Sequence, residues 1–260
     1  MIEEFLLRVS NLSIAVKDDG KKIVEDVSLT IKKESITTLV GGSGSGKTTL
    51  GLSVLRLLSP ALEIQRGEII FNQKQLLTCS DAEIRCVRGR EIAMIFQEPL
   101  YAFNPVFKIG QQIEEVLEVH SVFSKSQRRE KVFEALKQVG MTDLQRAFES
   151  YPHQLSGGMR QRAMIAQAIV SGPSLLIADE PTSNLDVTLQ AKIIELFREL
   201  RERLKLSILL ITHDLGMVKH LADEVFVLNS GRVVEAGPVS SVMGNPRDSY
   251  TVQLMKALEI

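Results

Sequence analysis

Gly41-Gly42-Ser43-Gly44-Ser45-Gly46-Lys47-Thr48 decides how this chain is read, because it follows the apolar run Ile36 to Val40 and opens a helix-like segment, Thr49 to Leu58. A strand, a glycine-rich turn and a helix N-terminus in that order form a cradle for nucleotide phosphates. Glycines let successive backbone N–H groups turn toward one anion, and the helix end adds partial positive charge. Lys47 is spaced to reach the β- and γ-phosphates, the Thr48 hydroxyl to ligate Mg²⁺, and the Thr49 amide to extend the row of donors. A Gly/Ser-rich surface turn is the bland alternative. Its placement between strand and helix argues against it.

Leu155-Ser156-Gly157-Gly158-Met159-Arg160-Gln161-Arg162 presents a second anion-reading surface: a Ser-Gly-Gly turn precedes an amphipathic stretch through Ile165, Ala168 and Ile169. Leu175 to Ala178 then reads as a strand buried on both faces, and it ends in Asp179-Glu180. Ile208-Leu209-Leu210-Ile211-Thr212 repeats that pattern and is followed by His213. Together these stretches resemble the ATP-binding cassette ATPases, whose phosphate loop, LSGGQ-type signature, acidic strand and later histidine occur in this order and at about this spacing. The resemblance covers nearly the whole chain. It implies an α/β fold with a RecA-like P-loop core, an N-terminal antiparallel β-subdomain and an inserted α-helical subdomain.

Composition agrees with a globular enzyme. At 260 residues and 44% hydrophobic, the chain can bury a large core without covalent staples. Its two cysteines, Cys79 and Cys86, lack metal-like spacing and read as reduced thiols. No apolar run reaches the roughly 18 residues of a membrane span, and Met1-Ile2-Glu3-Glu4 does not look like a secretion signal. With 31 basic against 32 acidic residues, the net charge of −1 gives no field to recruit nucleic acid, so no nucleic-acid partner is expected.

The predicted elements place the motifs. Leu6 to Val16 and Ile23 to Ile31 read as antiparallel strands around Asp18-Asp19-Gly20; Gly67 to Phe71 and Ile92 to Phe96 read as further strands, while Asp81 to Arg90 looks too charged to be buried. From Ile109 to about Phe148 the periodicity turns helical, with Ile113, Val116 and Leu117 on one face and Val132, Leu136 and Val139 on another. Ser124 to Gln127 and Thr142 to Gln145 both fit a capping box. Strand and helix then alternate through Leu189 to Leu204 and Ile208 to Ile211, and Val225 to Leu228 with Val233 to Glu235 flank Ser230-Gly231 and read as a hairpin. The expected division is residues 1–97 as the first part of the nucleotide-binding core, 98–158 as the helical subdomain ending in the signature, and 159–260 as the second part of the core.

Hydrolysis of ATP requires a metal ion, neutralised phosphate charge and one oriented water. Thr48 and Asp179 are the natural Mg²⁺ partners, Lys47 and the loop amides hold phosphate, and Glu180 is the candidate general base, with a structural cap before Pro181 as its alternative. The Gln97 amide follows a strand and can reach metal or water; by resemblance it is the Q-loop glutamine that links nucleotide state to the helical subdomain. The resemblance also points His213 at the γ-phosphate, and it likens Ser183-Asn184-Leu185-Asp186 to the D-loop, with Asn184 where members often carry Ala. Asp186 can equally cap the following helix. Val16 stands where the family stacks adenine on an aromatic residue, so that platform is missing here.

Phe96 to Pro105, Tyr151-Pro152-His153-Gln154 and Asn245-Pro246-Arg247-Asp248-Ser249-Tyr250-Thr251 resemble the oligopeptide, dipeptide and nickel importer ATPases. Many of those carry His-Pro before the terminal Tyr-Thr, where this chain has Asp248-Ser249; with Ile260 last, no cysteine-rich tail is expected. Two anion-reading surfaces in one chain favour apposed protomers over a permanently closed monomer. The family arrangement sets the Gly41 to Thr48 loop of one protomer against Ser156-Gly157-Gly158 of a second ABC ATPase subunit, a copy or a paralogue. Membership would bring transmembrane permease subunits as partners, a solute-binding protein indirectly, and a peripheral place on the cytoplasmic face of the membrane. A soluble cassette ATPase acting on DNA or ribosomes is the competing reading. Against it, only about a hundred residues separate Thr48 from Leu155, without the heptads of a long coiled coil.

Overall fold

The computed structural model describes residues 5–97, 102–183 and 185–256. Outside them fall Met1 to Glu4, the Glu98 to Tyr101 part of the Phe96 to Pro105 stretch, Asn184 and the last four residues. By its contacts the chain divides into two compact units, Met1–Ile84 with Lys205–Ile260, and Arg85–Leu204. In chain order its strands and α-helices are β1 (Phe5–Val16), β2 (Lys22–Lys32), β3 (Ile36–Val40), α1 (Lys47–Val54), β4 (Leu62–Phe71), β5 (Lys74–Gln75), α2 (Asp81–Val87), β6 (Ile92–Ile95), α3 (Ile109–His120), α4 (Lys125–Gln138), α5 (Leu144–Glu149), α6 (Gly157–Ile169), β7 (Leu175–Asp179), α7 (Val187–Leu204), β8 (Ser207–Thr212), α8 (Leu215–Leu221), β9 (Glu224–Asn229), β10 (Arg232–Pro238), α9 (Val239–Gly244) and α10 (Ser249–Lys256).

In the first unit β1 and β2 form the expected antiparallel pair, with Leu7, Leu12, Ile14, Val24 and Ile31 fully buried. Its turn is stabilised by Asp19, whose Oδ1 accepts the Lys21 N–H at 2.9 Å. β4 pairs with the other edge of β1, and the sheet runs β2-β1-β4-β5. β4 starts at Leu62, five residues before the Gly67 that hydrophobicity indicated. Between Leu62 and Arg66 no side chain is fully buried, so the pattern carried no signal; pairing of Val16 with Leu62 and Ile14 with Ile64 makes that stretch a strand.

The same unit holds β3 between β8 and β9, parallel to both, with β10 antiparallel to β9. Every residue of β3 and of β8 is buried, Thr37, Thr38, Ser207 and Thr212 included, as central parallel strands covered on both faces require. Ser230 and Gly231 both take positive φ, 46° and 80°, which suits the twist of the β9–β10 hairpin. Helices α8 and α9 close an apolar cluster of Val40, Leu215, Val218, Val225, Val227 and Val242.

In the second unit β6 and β7 run parallel, Ile92 opposite Leu175 and Ile95 opposite Ala178. Ile113, Leu117, Val132 and Leu136 are buried at the expected helical spacing. Ser124 and Gln127 form the capping box of α4: the Ser124 Oγ accepts from the Gln127 amide and Gln127 Oε1 from the Ser124 amide. At α5 the cap is Asp143, one residue past the expected Thr142, because its Oδ1 reaches the Arg146 N–H at 3.0 Å. Phe133 stacks on Phe148 at 5.2 Å, and the Arg129 guanidinium lies over the Phe148 ring at 4.7 Å. The Asp81 to Arg90 stretch proves half-buried: α2 turns Ile84 and Val87 inward while Asp81, Ala82 and Glu83 stay exposed. A three-residue helical period hides two apolar anchors in a charged average.

His120 ends α3, and burial followed by repulsion from Arg90 holds its imidazole below the ordinary value of 6.5. The folded protein therefore prefers neutral His120, while the unfolded chain binds a proton near 6.5. Its contribution to stability is complete above that pH and is lost as the pH falls through it toward the folded value. Urea midpoints measured from about pH 7.5 to about pH 5.5 should fall, and less steeply in His120→Gln. An identical slope in the variant rules His120 out as the group responsible.

Candidate active site

In the first unit the phosphate loop leaves the carboxyl end of β3 and enters α1 at Gly46. That residue sits in the left-handed region at φ 102°, supplies no side-chain cap, and would place a Cβ 2.7 Å from the Ile23 carbonyl. Only glycine fits there. Gly41 is constrained by space instead, because its Cβ would lie 2.1 Å from the Leu228 carbonyl oxygen. Lys47, 7% exposed, curls its ammonium back over the loop and donates to the Gly41 carbonyl at 2.9 Å and the Gly42 carbonyl at 2.8 Å. The cation is thus stored inside the cradle it serves. Thr48 is exposed one position further along α1.

Parallel pairing sets Val40 opposite Thr212, so His213 emerges from β8 at the edge where the phosphate loop leaves β3. His213 is exposed. Behind it the Asp214 N–H donates to Thr212 Oγ1 at 3.0 Å, and Asp214 Oδ1 caps α8 by accepting the Met217 N–H at 3.1 Å. Two local hydrogen bonds therefore set the direction of the turn that carries the imidazole.

In the second unit Asp179 closes β7 and is 3% exposed. Glu180 follows at φ 48°, a left-handed conformation that costs a non-glycine residue about 1–2 kcal/mol. Neighbouring bonds hold it there: Glu180 O accepts the Ser183 N–H at 3.1 Å, and the Gln161 amide, from α6, donates to the Pro181 carbonyl at 2.6 Å. Ser183 Oγ donates to the Gln97 carbonyl at 2.9 Å. Since Ile95 lies opposite Ala178, Gln97 and Glu180 leave adjacent strands at one edge. Ser156 caps α6 by accepting the Met159 N–H at 3.3 Å, and Gly157 faces open space. Asp186 realises the capping alternative, its Oδ1 accepting the Leu189 N–H at 2.9 Å.

The fold therefore gathers the sequence-predicted residues into two sets, the Gly41 to Thr49 loop with His213 in one unit, and Gln97, Asp179, Glu180, Asp186 and Ser156 to Gly158 in the other. Gln161, in the Leu155 to Arg162 stretch, and Ser183, in the Ser183 to Asp186 stretch, make contacts that their residue type and spacing do not announce. Each acts by reaching a backbone carbonyl far along the chain, which leaves no local pattern to find.

A glycine-rich phosphate loop at a parallel strand's carboxyl end, with acidic and signature turns of this kind elsewhere in the chain, defines the ATP-binding cassette class of ATPase. The family described as ABC transporter matches residues 24–183, and the chain belongs to that family. It is 44% identical over 255 residues to a putative peptide import ATP-binding protein of Brucella abortus (strain 2308), covering 97% of this chain and 77% of the relative. It is 41% identical over 259 residues to the oligopeptide transport ATP-binding protein OppD of Lactococcus lactis subsp. cremoris (strain SK11), covering 99% and 77%. Among solved structures it resembles CbiO1 of Clostridium perfringens, part of the CbiONQ ABC transporter complex, with TM-score 0.83, 28% identity and coverage of 99% and 100%. A dimeric cassette in a post-hydrolysis state with ADP and Pi is similar at TM-score 0.78 and 26% identity, covering 90% and 98%. The chain is accordingly an ATP-binding and ATP-hydrolysing cassette. Among its described residues no helix is long and apolar enough to cross a membrane.

Two glycine substitutions separate space from conformation in the loop. Gly41→Ala drives a methyl into the Leu228 carbonyl and should cost about 3 kcal/mol or more in denaturant unfolding, with loss of nucleotide binding. Gly44→Ala, at φ 75° with nothing within 4 Å, should cost only about 1 kcal/mol. Equal costs contradict the close approach at Gly41.

Proposed function

We propose that this cassette powers an importer for peptides, working as a head-to-tail pair with a second ATPase subunit on the cytoplasmic face of the membrane. The observation that carries this reading is similarity at 41–44% identity, over nearly the whole chain, to proteins named for peptide and oligopeptide import. Nickel import, the other cargo class of the resembled subfamily, is the second reading; a soluble ATPase acting on DNA or ribosomes has no comparable support.

In the proposed cycle Lys47 and the amides of the Gly41 to Thr49 loop bind the triphosphate, except the Gly42 N–H, which donates to the Tyr250 hydroxyl; Lys47 exchanges its loop carbonyls for phosphate oxygens. The Thr48 hydroxyl, the Asp179 carboxylate and the Gln97 amide are hard oxygen donors that suit Mg²⁺, which would neutralise phosphate charge when bound. Glu180 accepts a proton from the water that attacks the γ-phosphorus, and its held, left-handed backbone supports that placement because a strained residue is over-determined by its surroundings. His213 donates to the γ-phosphate. Ser156 to Gly158 of the opposite protomer present the N-terminus of α6 to the same phosphate, and Asp186 orders the adjoining turn. Residues 98–158 then form the helical subdomain that passes opening and closing to the permease subunits, with residues 1–97 and 159–260 as the two parts of the core.

Glu180→Gln keeps shape but removes the base. Turnover should drop about a thousandfold, equivalent to roughly 4 kcal/mol of barrier, while ATP-dependent dimers accumulate on gel filtration. Near-normal turnover removes Glu180 from the role. For the cargo, co-expression with the cognate permease in a peptide-uptake-deficient strain should restore labelled tripeptide uptake that Glu180→Gln abolishes; restored uptake of Ni²⁺ alone would decide for the second reading.

A further inference from the structure

The Gly42 N–H donates to the Tyr250 hydroxyl at 2.8 Å, across 208 positions of sequence. That N–H belongs to the same peptide plane as the Gly41 carbonyl, which accepts from Lys47 Nζ at 2.9 Å on the opposite edge. The peptide is therefore clamped from two sides, by a lysine and by a tyrosine. Its need for a clamp is plain, since glycine flanks it on both sides and offers little steric resistance to rotation. Gly42 itself is matched to the tyrosine: a Cβ there would lie 3.1 Å from the hydroxyl.

Tyr250 is held firmly enough to serve. Asp248 Oδ1 accepts the Tyr250 N–H at 2.8 Å at the start of α10. Glu235, on β10, accepts the Arg247 N–H at 2.9 Å and the Asp248 N–H at 3.1 Å through its two oxygens. The ring packs on the apolar cluster built around Val40 and Val227. Asp248 caps the helix, which therefore starts in the register that aims the phenol at the loop.

We propose that Tyr250 is a positioning residue for nucleotide binding: its hydroxyl keeps the Gly41–Gly42 peptide oriented when Lys47 leaves the Gly41 carbonyl for the phosphates. This rests on the phosphate-loop reading of Gly41 to Thr48. The hold matters most in the nucleotide-bound state, where the lysine side of the clamp is released.

The experiment uses the full chain with Mg·ADP titrated calorimetrically and ATP hydrolysis followed in steady state. Tyr250→Phe should weaken ADP binding and raise the KM for ATP about threefold to tenfold, as loss of one hydrogen bond implies, with kcat within about twofold and the melting temperature little changed. A purely structural role would instead lower the melting temperature and leave KM unchanged, which overturns the proposal. Gly42→Ala should also weaken binding, and Gly42→Ala with Tyr250→Phe should do less harm than the two added together, because the hydroxyl that the methyl meets is gone. Strict additivity overturns it too. Amide exchange at Gly42 gives a readout independent of activity and should quicken in Tyr250→Phe; unchanged protection counts against the bond. Lys47→Ala separates the two readings: if it abolishes ADP binding while Tyr250→Phe has no effect, the clamp alone fails, and if it binds ADP normally, the phosphate-loop reading fails with it.

Discussion

Backbone pressed against backbone is the constraint on which the nucleotide site depends. The phosphate loop is fixed where Gly41 meets the Leu228 carbonyl and Gly46 the Ile23 carbonyl, with the Gly231 N–H donating to the Ser45 carbonyl at 3.0 Å. At such separations no side chain can intervene, so the loop takes its shape from β2 and the β9–β10 hairpin as much as from its own glycines. The contacts to Leu228 and Gly231 join elements nearly two hundred residues apart, and together with the one to Ile23 they explain why an anion site made of main-chain donors can be rigid. Preorganised amides need no reorientation when charge arrives.

The acidic turn achieves the same end by different means. Glu180 stands in a conformation that its own chemistry disfavours, and it is kept there by Gln161 on the Pro181 carbonyl and Ser183 on the Gln97 carbonyl. Each bond contributes about 1 kcal/mol net, enough in sum to offset the left-handed backbone. The turn that carries the carboxylate is thereby tied by hydrogen bonds to α6, which begins at the signature, and to Gln97 just after β6.

Much of this was legible beforehand because the motifs are local. Gly41 to Thr48, Ser156 to Gly158 and Asp179-Glu180 each lie within a few consecutive residues, and the short, mostly apolar runs of β3, β7 and β8, each followed at once by a turn, suit strands buried on both faces. The N-terminal half of β4, the buried face of α2 and the Asp143 cap were missed or displaced. In the first, backbone pairing replaces side-chain burial as the stabilising term; in the second, charge masks two apolar anchors; in the third, Thr142 and Asp143 are both good caps, and the chain's path chose between them.

By itself the sequence determined the class of chemistry, since phosphate-binding amides, a lysine and paired carboxylates act through residue type and short spacing, and those survive in one dimension. Only the tertiary structure decided which distant groups hold these motifs in shape. Tyr250 on Gly42, Gln161 on Pro181 and the Leu228 carbonyl beneath Gly41 are contacts between backbone groups or single polar atoms. Hydrogen-bond reach and close packing are properties of position in space, and neither leaves a periodic mark on the chain.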